Sequence, residues 1–188
     1  MGRRGQVLRH QVFAQKYERL FMVGDGSCLF HSIATLLDLD SCTTKPWKQR
    51  VKVGHKLRRA VVGDGDLYES WLRERGFFGV PGILSVAEAK DPYVWADDTL
   101  INFTSWRLGL SLYLVKNSKQ TFVRRADGEW ACLLAHIDQS HFEPIVPVAA
   151  AAVPSTYALP PNIDMVVGDA ACVYSTGDPV LQRLRVIG

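Results

Sequence analysis

Gly109 divides the chain into two textures, and that division limits the folds open to it. Ahead of it, apolar residues recur at helical spacing: Leu29, Ile33 and Leu36, then Val53, Leu57 and Val61. Leu100, Phe103 and Leu110 form a third inward-facing set. Behind it come SLYLV, TFVRR, WACLLAHI and FEPIVPV, short runs rich in β-branched and aromatic residues. Turn signals such as Lys116-Asn-Ser-Lys119 and Ala126-Asp-Gly-Glu129 separate them. Helices first and a strand cluster second predict an α+β fold, with helices packed on a small, mostly antiparallel sheet. At 188 residues such a domain can bury a sizeable core.

Local signals place the helices. Ser27 can cap a helix over about 28–39, and a polar loop, DSCTTKP, leads to a basic helix over 46–62. Gly63-Asp64-Gly65 ends that helix, and Asp66 can cap the next, through about Arg75. A loop with a helical turn or two follows, and Asp97 or Asp98 can cap the last helix. The basic helix lies in a block, residues 45–59, that carries seven Lys or Arg and no acid. Lys48, Lys52 and Lys56 read as its solvated face, with nucleic acid or an acidic protein as the alternative partner. The net charge of +3 does not demand a polyanion.

Residues 148–162, VAAAAVPSTYALPPN, read as a linker or a surface-hugging extension, and the pattern beyond them leaves the fold open. The run Ile145–Val153 is too short to span a bilayer, which takes about 20 apolar residues. The opening MGRRGQVLRH has basic residues but no apolar run behind them, so a secretory signal is not expected there. Cys28, Cys42, Cys132 and Cys172 are widely spaced and include no C-x-x-C pair. That spacing argues against a zinc site or a disulfide scaffold and for free thiols in a reducing, cytoplasmic setting.

One of those thiols stands apart. In GDGSCLFHSIATLL, residues 24–37, Cys28 falls at the first turn of the predicted helix. The positive end of a helix dipole favours thiolate there. Gly24 and Gly26 let the backbone approach closely, so the amides of Asp25, Gly26 and Cys28 can converge on an oxyanion. A packing role for Cys28 fits the same position. A nucleophile also needs a base, drawn from five histidines. His31 shares the helix with Cys28, His55 reads as solvated, and His10 lies in an N-terminal arm. His136-Ile-Asp138 and His141-Phe-Glu143 are both His-x-acid, which a strand places on one face. His136 ends an apolar run and suits a buried structural role, whereas His141 opens a strand after a polar turn and is the better base.

These residues resemble the ovarian-tumour (OTU) family of cysteine proteases, mostly deubiquitinases. The family's Asp-Gly-Asn-Cys-Leu/Phe-Phe/Tyr signature is matched by Asp25-Gly26-Ser27-Cys28-Leu29-Phe30. Its His-aromatic-acidic/polar motif is matched by His141-Phe142-Glu143, and its Trp-Gly segment by Trp95-Ala96. The resemblance covers about 21–147, with 1–20 as an N-terminal extension and 148–188 as a C-terminal one. It implies a papain-type fold, Cys28 as nucleophile, His141 as base and backbone donors at 25–28. Glu143, or second to it Asp25, would orient the base, and Trp95 and Phe142 would contact substrate. Ser27 in place of Asn and Glu143 in place of the commoner Asp or Asn depart from the pattern. No cofactor or metal is implied. The implied partner is ubiquitin or a ubiquitin-like modifier met by a monomer, without membrane. The form GDGxCxxHSIA is most similar to OTU domains within RNA-virus polyproteins, which implies removal of modifiers from host immune signals. Polyprotein processing is an alternative, for which the tail Leu184-Arg-Val-Ile-Gly188 offers a faint ubiquitin-like match. A non-catalytic module binding RNA or protein is another.

Overall fold

A computed structural model describes residues 4–8, 17–116, 120–124, 127–147 and 156–184. Its strands are β1 (Arg4–Leu8), β2 (Tyr17–Leu20), β3 (Leu110–Lys116), β4 (Gln120–Arg124), β5 (Trp130–Ile137), β6 (His141–Pro147) and β7 (Tyr174–Ser175). Its helices are α1 (Cys28–Leu36), α2 (Trp47–Val62), α3 (Asp66–Glu74), α4 (Val86–Lys90), α5 (Asp98–Leu108) and α6 (Pro179–Gln182). The architecture is α+β. The strands form one sheet in the order β1-β2-β6-β5-β3-β4, with β7 added beside β5. Only β3 and β5 run parallel among these described strands.

Side-chain alternation gives the sheet two apolar faces. Leu110, Leu112 and Leu114 of β3, with Cys132 and Leu134 of β5 and Phe142 of β6, meet the helices. Ala131, Leu133, Ala135 and Ile145 point the other way, where Tyr17, Tyr174, Leu181 and Leu184 cover them. All nine residues of α1 are buried, because the helix lies between α2 and the β5–β6 pair.

Both stretches set apart as extensions therefore join the packed structure. Tyr17, Glu18 and Arg19 of β2 pair with Pro147, Val146 and Ile145 of β6. Downstream, Tyr157, Ile163, Met165 and Val173 enter the helix-side core. The Tyr157 hydroxyl donates to Leu108 O at 2.8 Å, and the Cys172 amide donates to Leu36 O. His10, the 148–155 stretch and residues 185–188 of the terminal motif lie outside the described residues.

Several local expectations need correction. The Ser27 hydroxyl does not cap α1; it is buried and donates to Pro92 O at 2.7 Å. Asp66 is the first helical residue of α3, and the cap position falls to Gly65, whose φ of +107° suits glycine. A Cβ there would also lie 2.3 Å from the Val86 side chain. The loop after α1 contains a 3-10 turn, Leu39–Thr44, and Leu110 belongs to β3 rather than to the helix before it. In α2, Val53, Leu57 and Val61 are buried as their spacing predicts. His55 and Arg58, however, do not share the solvated face: Arg58 is 0% exposed, and His55 reaches inward to Asp25.

Candidate active site

Cys28 opens α1 on the side where the helix meets β6. Its Sγ accepts the Phe142 amide at 3.4 Å and lies 3.7 Å from the Ser140 carbonyl oxygen. The sulfur thus touches the backbone on both sides of His141. The ring of His141 lies across Gly24, where a Cβ would be 3.7 Å from its Nδ1. Its other nitrogen, Nε2, stands 3.5 Å from Glu143 Oε1. That separation is loose, as catalytic contacts often are before substrate binds. His141 and Glu143 share a face of β6 because a strand places i and i+2 together. Cys28, His141 and Glu143 thus gather where α1 meets β6, with the sulfur against the backbone flanking His141 and the imidazole beside the carboxylate.

Electrostatics at the sulfur run against the expectation from helix position alone. Burial pushes the Cys28 thiol up, ahead of the lowering by the amides of Phe142 and Leu29, and the Asp25 charge adds to the rise.

Glu143 has a second neighbour that the sequence did not single out. Arg19 of β2 brings Nε to 3.6 Å from Glu143 Oε2, so the carboxylate lies between a guanidinium and the imidazole. His136 sits on the opposite face of the sheet and stacks on Phe142 at 4.5 Å between ring centroids. Burial pushes its pKa down, as suits a neutral core histidine. Asp138, its candidate orienter, lies exposed in the turn after β5, at φ +48°.

Asp25 is placed elsewhere than beside His141. One oxygen lies 2.9 Å from His31 Nε2 and 3.0 Å from the Ser27 amide nitrogen, and the other 2.8 Å from His55 Nε2. Burial works to raise its pKa, but the donated bonds from His31, Ser27 and His55 hold it below the ordinary carboxylate value. His31 Nδ1 is buried without a partner, so the network assigns the proton to Nε2 and a neutral ring. Burial lowers this pKa too. Asp25, His31 and His55 are the trio among the described residues close enough to hold a metal ion. Their hydrogen bonds to one another already satisfy the carboxylate and both Nε2 atoms.

Around the loop, Gly26 has φ +93° and lies so close to Tyr93 that a Cβ would sit 2.5 Å from its carbonyl carbon. Only glycine fits there. Of the residues expected to meet substrate, Trp95 is half-exposed beside Gly24, at 3.6 Å from the position of a Cβ. The Phe142 ring is not open to substrate: it is 1% exposed under His136, and what it offers Cys28 is its amide. Sequence reasoning also missed Arg58, which no short motif marks.

No family model matches the sequence, and comparison with curated proteins finds no match. Among solved structures, the chain is similar to an ovarian-tumour (OTU) domain in complex with ubiquitin, at TM-score 0.50 and 11% identity. That alignment covers 90% of this chain and 81% of the other. Another similar structure is the Hazara virus OTU bound to ubiquitin, at TM-score 0.47 and 20% identity, covering 78% of this chain and 89% of that one.

Proposed function

We propose that this chain, which has the fold of an OTU domain, is a thiol-dependent isopeptidase acting on ubiquitin or a ubiquitin-like modifier. The observation that carries the reading is the contact of the Cys28 sulfur with the backbone on both sides of His141, whose Nε2 faces Glu143. In the proposed reaction His141 takes the thiol proton, and the sulfur attacks the carbonyl that follows the modifier's last glycine. The negative charge that develops on oxygen is met by amides of the 25–28 loop. His141 then returns the proton to the leaving lysine amine, and water hydrolyses the thioester. Glu143 orients the imidazole and stabilises its charged form. Trp95 and His141 flank Gly24, and the modifier's small-residue tail would approach there.

Ubiquitin as the modifier rests on the signature residues and on the fold's resemblance to a ubiquitin-bound domain. A role in removing modifiers from host immune signals rests on the GDGSCLFHSIA block alone.

A ubiquitin probe with a C-terminal electrophile tests the assignment. Wild type is expected to label covalently, Cys28→Ala and His141→Ala to fail, and His136→Ala to label. A folded wild type that reacts with no ubiquitin or ubiquitin-like probe overturns the isopeptidase reading. Loss of labelling in His136→Ala with retention in His141→Ala overturns the choice of base.

A further inference from the structure

Arg58 is fully buried, yet among the described residues no carboxylate bonds to it. Its guanidinium instead donates to backbone oxygens from three segments. Nε bonds Ala89 O at 2.7 Å and Nη2 bonds Glu88 O at 3.2 Å, both at the end of α4. Nη1 reaches Val94 O at 2.7 Å and Gly26 O at 3.0 Å, with Ser27 Oγ at 3.3 Å. Burial brings its pKa down to about 10, so the group stays charged at neutral pH.

The bond to Gly26 O has a consequence for the peptide that joins Gly26 to Ser27. Its carbonyl is held by Arg58, and its N–H donates to Asp25 Oδ1 at 3.0 Å. Asp25 is in turn fixed by His31 of α1 and His55 of α2. A planar peptide pinned at both ends cannot rotate. Its orientation sets that of the peptides on either side, which carry the Gly26 and Cys28 amides. The backbone of Tyr93 also packs closely against Gly26.

We propose that Arg58 and His55 are positioning residues: from one helix they lock the Gly26–Ser27 peptide so that its neighbouring amides face the developing oxyanion. Neither side chain touches the reacting atoms. The inference rests on the isopeptidase reading for its catalytic consequence, but not for the locked peptide itself.

Two measurements separate those levels. The first is amide hydrogen exchange at Ser27, which needs no substrate. Arg58→Lys and His55→Gln are expected to speed exchange at Ser27 about tenfold or more while β5 amides keep their protection. Unchanged Ser27 exchange in both variants overturns the proposal whatever the enzyme's activity.

The second compares two reactions of ubiquitin derivatives. Hydrolysis of a C-terminal aminocoumarin passes through an oxyanion. Alkylation by a C-terminal 2-bromoethylamide does not: the sulfur bonds to the terminal CH2 and bromide leaves. Arg58→Met and Arg58→Lys are expected to lower kcat for hydrolysis about 10- to 100-fold, the scale of a misplaced oxyanion donor. KM and the alkylation rate are expected to stay within about threefold on the same grounds. A merely structural role lowers both reactions together, and that result overturns the proposal. If wild type alkylates and hydrolyses nothing while Ser27 exchange responds as expected, it is the isopeptidase reading that fails.

Discussion

Gly54→Ala is the sharpest test of how α1 and α2 meet. Glycine in the middle of a 16-residue helix is costly, and alanine at an open position there would gain about 1 kcal/mol. Gly54 is not open. A Cβ would sit 2.0 Å from His31 Nδ1, 2.9 Å from Cε1 and 3.0 Å from the His31 α-carbon. Relief requires more than an ångström of movement, because unstrained contacts lie at about 3.5 Å or beyond. The ring cannot yield without leaving Asp25, to which its Nε2 is tied at 2.9 Å. Because the added carbon also crowds the His31 backbone, the two helices must part as well. Overpacking costs about 1–3 kcal/mol, and a weakened bond to a charged acceptor about 1.5 more. Against the helix gain of about 1 kcal/mol, the net loss is about 2 kcal/mol. For a domain of this size that lowers Tm by about 4–8 °C. Urea denaturation of Gly54→Ala, His31→Ala and the double variant measures it. In the His31→Ala background the ring clash is gone and only the contact with the α-carbon of residue 31 remains, so Gly54→Ala is expected to cost little, with a coupling of about 1–2 kcal/mol. A single Gly54→Ala variant as stable as wild type would refute the close approach.

Three further outcomes follow from the same structure. Folding holds His31 and His136 neutral by burial, with pKa values below the ordinary 6.5, so the unfolded chain binds protons first as pH falls. Stability is expected to drop below about pH 6.5 by up to about 1.4 kcal/mol per unit for each ring, and lower still the Asp25 contribution is lost as its carboxylate protonates. Urea midpoints at pH 7.5 and 5.5 check this, and a higher midpoint at pH 5.5 contradicts it. Glu143→Gln keeps the shape but removes the charge beside His141, so kcat is expected to fall about 3- to 10-fold on the ubiquitin substrate; full activity moves the orienting role elsewhere. A chain cut after Pro147 loses Tyr157, Ile163, Met165, Val173, Tyr174, Leu181 and Leu184 from the two cores. At about 1.5–3 kcal/mol each the loss is about 10–20 kcal/mol, as large as the 5–15 kcal/mol a domain has in hand, so its proton NMR spectrum is expected to be undispersed. A dispersed spectrum would restore a domain ending near residue 147.

The parts of this molecule that its sequence makes legible are those governed by short-range rules. The helical spacing of Val53, Leu57 and Val61 and the continuous apolar run of WACLLAHI depend on neighbours a few residues away, and burial follows: the three α2 residues and residues 131–135 of β5 are buried. Cys28 at a helix start and His141-x-Glu143 on a strand are likewise local motifs, and folding needs only to bring β6 against α1. The tail is different. Tyr157, Ile163, Met165 and Val173 are buried from irregular backbone, where no period of 2 or 3.6 exists to announce them. Low charge and scattered proline then read as linker, although single apolar side chains fill the core. The β2 strand hid for a related reason: YERL carries two charges, one of which, Arg19, is used against Glu143.

The basic helix shows why charge is the least transferable signal of all. Helical patterning assigns a cation to the outer face because burying it unpaired is expensive, and that default holds for Lys48, Lys52 and Lys56. Arg58 escapes it because a rigid fork of donors can be met by uncharged acceptors, here the carbonyls of residues 26, 88, 89 and 94 and the Ser27 hydroxyl. None of them is in α2, so nothing near Arg58 in the chain distinguishes it from Arg59. The same holds for His55, whose partner Asp25 lies thirty residues upstream. A block that reads as a solvated cationic face thus turns one of its edges inward, and the Arg58 and His55 side chains there hold the loop in front of Cys28.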